Sequence, residues 1–190
     1  MNVYDFDGTL YKGDSSRDFF LYCLRNDLSL LRFLPRQALG AFLYCIGKID
    51  KTAMKEMIFS FLCGVEDVRA RVESFWDSHR KNIFPYYLNQ SRQDDVVVSA
   101  SPEFLLRPIC ARLGISAPIA SEVDEKTGKF LSSNCHDAEK TRRFYNVYGD
   151  VRVNNFYSDS HSDLPMAKIA SAAFLISARG EVRPWNIENE

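Results

Sequence analysis

The strongest constraint on this chain is where its two clearest apolar strands fall. Val3-Tyr4 runs directly into Asp5-Phe6-Asp7-Gly8-Thr9-Leu10, and the next buried-strand pattern, Asp95-Val96-Val97-Val98-Ser99, comes some eighty residues later. The first run reads as a strand entering a turn, with Gly8 letting the backbone swing away. Side chains alternate along an extended chain, so Asp5 and Asp7 project from one face. Neighbouring carboxylates repel unless a cation lies between them or one holds a proton. A hard, oxygen-binding cation such as Mg2+ is the natural partner of such a pair.

The gap between the two strands reads as helical. Phe19, Phe20, Tyr22, Cys23 and Leu24 give an apolar face after Asp14-Ser15-Ser16, where Asp14 or Ser15 can cap the helix. Further helices are expected over about 28–46, 51–62 and 66–79, with Gly64 as a stop. From Asp95 onward, short apolar strands alternate with helices, the pattern of a parallel sheet covered on both faces. Strands are expected near 115–120, 153–157 and 173–176, and helices near 137–145 and 164–170. A hairpin is expected to turn at Lys126-Thr127-Gly128. Ser101 reads as the cap of the helix that follows Ser99, with Pro102 in its first turn.

Composition narrows the classes. At 190 residues, 46% hydrophobic and 26% charged, the chain can bury a core and is not of disordered type. A net charge of -1 argues against nucleic-acid binding driven by general basicity. The five cysteines are scattered without a Cys-x-x-Cys pair and read as reduced, mostly buried thiols. A strand starting at Met1 leaves no room for a signal peptide, so the cytoplasm is the expected compartment.

The run Asp-Phe-Asp-Gly-Thr-Leu resembles the first motif of the haloacid dehalogenase-like phosphatases. That resemblance implies a three-layer, Rossmann-like parallel sheet (α/β) with a helical type 1 cap inserted after the first motif. The core would be 1–12 and 86–190, and the cap 13–85. It further implies that Asp5 is the nucleophile forming an aspartyl phosphate and that Asp7 gives and takes the proton. Ser99, at a strand-to-helix junction suited to holding phosphate, matches the second motif, with Ser101 the rival though better placed as the helix cap. Lys140, in Asn134-Cys135-His136-Asp137-Ala138-Glu139-Lys140, resembles the third, with Lys129 the alternative; many relatives carry Gly where Asp137 stands. Tyr157-Ser158-Asp159-Ser160-His161-Ser162-Asp163 resembles the fourth, with Asp159 binding Mg2+ directly and Asp163 supporting it. Mg2+ would then bridge Asp5, Asp159 and the backbone carbonyl of Asp7. His161 reads as an exposed loop residue.

The style of the motifs is similar to the phosphoserine phosphatase-like branch, which also includes a phosphatidylglycerophosphate phosphatase. Two substrate classes therefore stay open, a phosphorylated small molecule and a lipid phosphate. A phosphomutase and a non-catalytic phospho-ligand-binding protein are the other readings. Asp14 stands where the small-molecule enzymes keep a glutamate that meets a substrate amine. The tail Ala178-Arg179-Gly180-Glu181-Val182-Arg183 looks like that of the lipid-phosphate enzymes. The segment 28–46 is rich in Leu and Phe, and residues 25–55 hold six basic residues against two acidic ones. An apolar helix flanked by positive charge suits a protein lying on an anionic bilayer, so peripheral contact through the cap, at the inner face of the membrane, is expected. Packing of the cap on itself or on a second subunit is the alternative.

Overall fold

The computed structural model describes residues 1–187. At its centre lies β1 (Asn2–Tyr4), paired in parallel with β2 (Val96–Pro102) on one side and β4 (Val153–Ser158) on the other. β3 (Ile119–Ser121) continues the parallel sheet beyond β2, and β5 (Ala170–Ile176) beyond β4. β6 (Val182–Pro184) adds an antiparallel edge, giving the order β3-β2-β1-β4-β5-β6. Successive crossovers build outward from β1 on one side and then on the other. The carboxyl end of β1 is thus a topological switch point, where open α/β sheets form a crevice.

Alternation along the strands explains the two covered faces. Val3, Val96, Val98 and Phe156 pack into one buried cluster with Phe144 of α7 (Ala138–Tyr148) and Met166 of α8 (Leu164–Ala167). Tyr4, Val97 and Tyr157 enter the other cluster, with Leu105, Leu106 and Ile109 of α6 (Glu103–Arg112). On that face Tyr4 stacks on Tyr157 at 4.6 Å between ring centres, and Tyr157 on Phe174 at 5.0 Å.

The residues between β1 and β2 are helical, as their patterning predicts. They form α1 (Ser15–Asn26), α2 (Leu34–Cys45), α3 (Lys51–Phe59), α4 (Val68–His79) and α5 (Pro85–Gln90). Aspartates cap three of them, Asp14 on α1, Asp50 on α3 and Asp67 on α4, each accepting from a first-turn N–H. The chain leaves and rejoins the sheet side by side. Lys12 N–H donates to Asn82 O at 2.9 Å, and Phe84 N–H to Leu10 O at 2.8 Å. The helices share their core with the sheet: Trp76 packs edge-on against Phe6 and Tyr11 and donates its indole N–H to Leu105 O at 2.7 Å.

Two expectations are corrected, and one strand is added. The 28–46 segment is not one helix, because a new one starts with Pro35 in its first turn: a 3₁₀ turn, Leu28–Phe33, precedes α2. Ser101 does not cap α6, since β2 runs through it to Pro102 and the helix has no side-chain cap. β6 has no counterpart in the reading of the tail, because its three residues are exposed and carry no apolar alternation.

Trp76→Ala should destabilise the protein by about 3–5 kcal/mol, the usual cost of emptying a fully buried aromatic site. Denaturant titration followed by circular dichroism should show a lower midpoint at an unchanged slope.

Candidate active site

Four segments meet beyond the carboxyl end of β1. Asp5 ends that strand, and Lys140 comes from the first turns of α7. Ser99 lies within β2 and not at the expected strand-to-helix junction, because the strand runs on to Pro102, and Asp159 and Asp163 follow β4. Lys140, only 2% exposed, places Nζ 2.9 Å from Asp5 Oδ1 and 2.7 Å from Asp163 Oδ2. Ser158 Oγ also donates to Asp163 Oδ2, at 2.7 Å. Burial opposes the charge on Lys140, yet Asp5 and then Asp163 raise its pKa above the ordinary lysine range. Asp5 is also raised, because burial and the nearby Asp163 and Asp159 outweigh Lys140.

Asp7 is held by groups not assigned to it from sequence. Ser15 N–H, at the start of α1, donates to Asp7 Oδ1 at 2.7 Å, and Ser101 Oγ donates to Asp7 Oδ2. Burial and then Asp14 push its pKa up to about 6, against the lowering effect of Ser101 and Ser15. Ser101 thus serves the acid, while Ser99 Oγ accepts from Ser101 N–H at 3.2 Å and stays buried. Two residues of alternation put both serines on one face of β2. That signal was readable in Ser99-Ala100-Ser101, but the competing reading of Ser101 as a cap obscured it.

Asp5, Asp7, Ser99 and Ser101 line a cavity of about 480 Å³ with Lys51 and Lys55, which reach it from α3. Lys55 donates to Ala100 O at 2.8 Å and Asn134 Oδ1 at 3.1 Å, and Lys51 Nζ meets His136 Nε2 at 2.8 Å. Burial first, and Lys51 second, push the Lys55 pKa down to about 8. Lys129 is not brought to the cluster; its backbone closes the Asp124–Lys129 turn. Asp14 lines the cavity too, while its carboxylate caps α1. His161, exposed as expected, lies edge-on to Trp185 at 5.4 Å between ring centres.

The residues present fit a hard divalent cation. Asp159 lies directly against the motif-one turn, where a Cβ on Gly8 would overlap its carboxylate, and Gly8 has φ +71°. The side chains there, the Asp5 and Asp159 carboxylates, offer oxygen donors, the kind such a cation takes. Around Lys140 they leave an excess of negative charge. No group of three His, Cys, Asp or Glu converges as a metal cluster among the described residues. Asp163 is turned to Lys140 and Ser158 instead, with its Oδ1 buried and without a hydrogen-bond partner.

A family model, the haloacid dehalogenase-like hydrolases, matches residues 3–168. The chain belongs to this family. The haloacid dehalogenase-like fold is also found in solved structures. A Bordetella pertussis Tohama I protein of unknown function superposes with TM-score 0.74 at 20% identity, over 91% of this chain and 87% of that one. A HAD family hydrolase from Salmonella enterica serovar Typhi gives 0.59 at 14% identity, over 88% of this chain and 59% of that longer one. A phosphoserine phosphohydrolase-like protein from Francisella tularensis gives 0.53 at 15% identity, over 91% and 86%.

The loop that presents Lys140 is strained. Asp137, just before α7, has φ +55° and ψ −131°, and it is the one non-glycine with positive φ among the described residues. This backbone region is essentially reserved for glycine and costs other residues about 1–3 kcal/mol. Asp137→Gly should therefore stabilise the protein by about 1 kcal/mol after the extra entropy of the unfolded chain is subtracted. A thermal melt should show a higher midpoint.

Proposed function

We propose that this hydrolase cleaves phosphomonoesters, with Mg2+, through an aspartyl phosphate on Asp5. Residues 13–85 then act as the cap over a core of 1–12 and 86–190. The observation that carries the reading is the pairing of Asp5 with Lys140 beside a second acid, Asp7, on one cavity. Asp5 and Asp159, with the Asp7 carbonyl, would hold the metal and Asp163 would support the site through Lys140. When bound, Mg2+ offsets charge on the phosphate oxygens.

The chain's own residues account for the proton and bond traffic. Asp5 attacks phosphorus in line as the bond to the leaving oxygen breaks, and Asp7 gives that oxygen its proton. Ser15 N–H and Ser101 Oγ fix the Asp7 carboxyl for this task. Asp7, now a carboxylate, takes a proton from water as the water oxygen attacks phosphorus, releasing phosphate and restoring Asp5. Lys140 and Ser99 face the charge that develops on the transferring group.

Asp5→Asn should lower turnover by on the order of 10⁴-fold in a folded protein. Asp7→Asn should cost about 10²–10⁴-fold with poor leaving groups and far less with p-nitrophenyl phosphate, whose leaving group hardly needs a proton. EDTA should abolish phosphate release and Mg2+ restore it. Full activity of Asp5→Asn, or in chelator, would sink the mechanism.

One surface favours a lipid phosphate over a soluble one. α2 is built inside out: its buried residues are Gln37 and Gly40, with Gln37 Nε2 donating to Ile58 O at 2.8 Å and Gly40 set against Met57. Outward stand Leu39 and Phe42, 50% and 59% exposed, joined by Leu28, Leu31, Leu34 and Ile46. Such an apolar face needs an apolar neighbour. Arg25, Arg32, Arg36 and Lys48 are exposed or partly exposed around it, whereas Lys51 and Lys55 turn to the cavity, so the surface is less basic than the segment's count. No described helix is long and apolar enough to cross a membrane, and a helix of this composition lies on an anionic bilayer rather than spanning it. The protein should co-sediment with anionic vesicles, less so at high salt. Leu39→Ser with Phe42→Ser should weaken that binding while p-nitrophenyl phosphate turnover persists; no sedimentation at low salt would exclude the membrane reading.

A further inference from the structure

Lys51 and Lys55 lie one turn apart on α3, so their side chains leave one helix face. Both line the cavity that holds Asp5, Asp7 and Ser99. Their partners are neutral acceptors: His136 for Lys51, and Ala100 O and Asn134 Oδ1 for Lys55. Burial followed by Lys51 and Lys140 disfavours the charged form of His136, which leaves its ring as an acceptor. Among the described residues neither lysine forms an ion pair. An ammonium offers three N–H donors, so Lys55 keeps one and Lys51 two beyond these contacts. A partly buried cation with no carboxylate in direct contact is costly to hold, and donors left free in this way suit an anion that enters the cavity.

The position of the pair suggests which anion. Lys140 and Ser99 approach the Asp5 side of the cavity from the core. Lys55 comes from the cap and feels Asp7 and Asp14, on the side where Asp7 would protonate the departing oxygen. Beside the lysines, Phe20, Met54 and Ile58 make the remaining cap wall apolar. We propose that Lys51 and Lys55 form an anion-binding subsite on the cap wall, and that the leaving group carries a second negative group, a carboxylate or a phosphate ester, which this subsite selects. The inference deepens the phosphomonoesterase reading and rests on it for the word leaving group.

Glycerol 3-phosphate and 3-phosphoglycerate test it directly, because they differ only in a hydroxymethyl against a carboxylate. A third probe presents glycerol phosphate through a phosphodiester to dioleoylglycerol in detergent micelles. Calorimetric binding to the full-length protein, without Mg2+ and with no turnover required, should favour at least one doubly anionic probe over glycerol 3-phosphate by tenfold or more. Lys55→Gln, and Lys51→Gln, should reduce that ratio by about tenfold, with Lys→Met variants as substitutes if either fails to fold by circular dichroism. Preference for the soluble acid identifies a small substrate, and preference for the micellar probe identifies a lipid headgroup; both support the subsite. Equal affinity for all three probes would overturn it. So would equal weakening of every probe in the variants, which would place the lysines on the scissile phosphate. Charge-selective binding with no phosphate release after Mg2+ is added would refute the phosphatase reading and leave the subsite standing.

Discussion

A lysine ammonium at 2% exposure stays charged only where carboxylates surround it, and Lys140 has Asp5 at 2.9 Å and Asp163 at 2.7 Å. Those contacts join the end of β1, the start of α7 and the loop after β4, segments far apart in the chain. Removing one partner of a buried pair costs about 3–5 kcal/mol because the other charge is stranded. The same cluster that would orient a nucleophile therefore also locks three crossovers together. The strained backbone at Asp137 is tolerated because it sets the start of the helix that delivers Lys140.

The sheet makes this convergence possible. β1 is central, its neighbours on either side come from different parts of the chain, and the crevice opens where the order reverses. Alternation then divides the work: Val3 and Tyr4 hold the two buried faces while Asp5, next in line, reaches the open end. The paired segments at 10–12 and 82–84 return the helical insertion beside the site. As a result α3 can supply cations to one wall of the cavity while α2 turns an apolar face outward.

Much of the site was legible because its chemistry is local. Asp5 and Asp7 are two residues apart just beyond β1, and Lys140, Asp159 and Asp163 stand near ends of elements that apolar patterning marks, whereas Ser99 lies within β2. The helical insertion was legible for the same reason, through caps such as Asp14 and through periodic aromatic residues. The Ser101 role was missed because a serine before Pro-Glu satisfies a capping pattern as well as a strand pattern. Only the approach of Asp7 from another segment decides between them. β6 was missed because an exposed edge strand needs no apolar alternation.

The basic count over 25–55 shows the same limit from the side of electrostatics. Sequence alone determined that the segment is apolar and carries an excess of positive charge, since these are properties of composition. It could not divide that charge between surface and interior. Only the tertiary structure turned Lys51 and Lys55 into the cavity, toward His136, Ala100 and Asn134, and left Leu39 and Phe42 in solvent. The physical reason is that helix periodicity states which residues share a face, but which face is buried depends on what the rest of the chain brings against it.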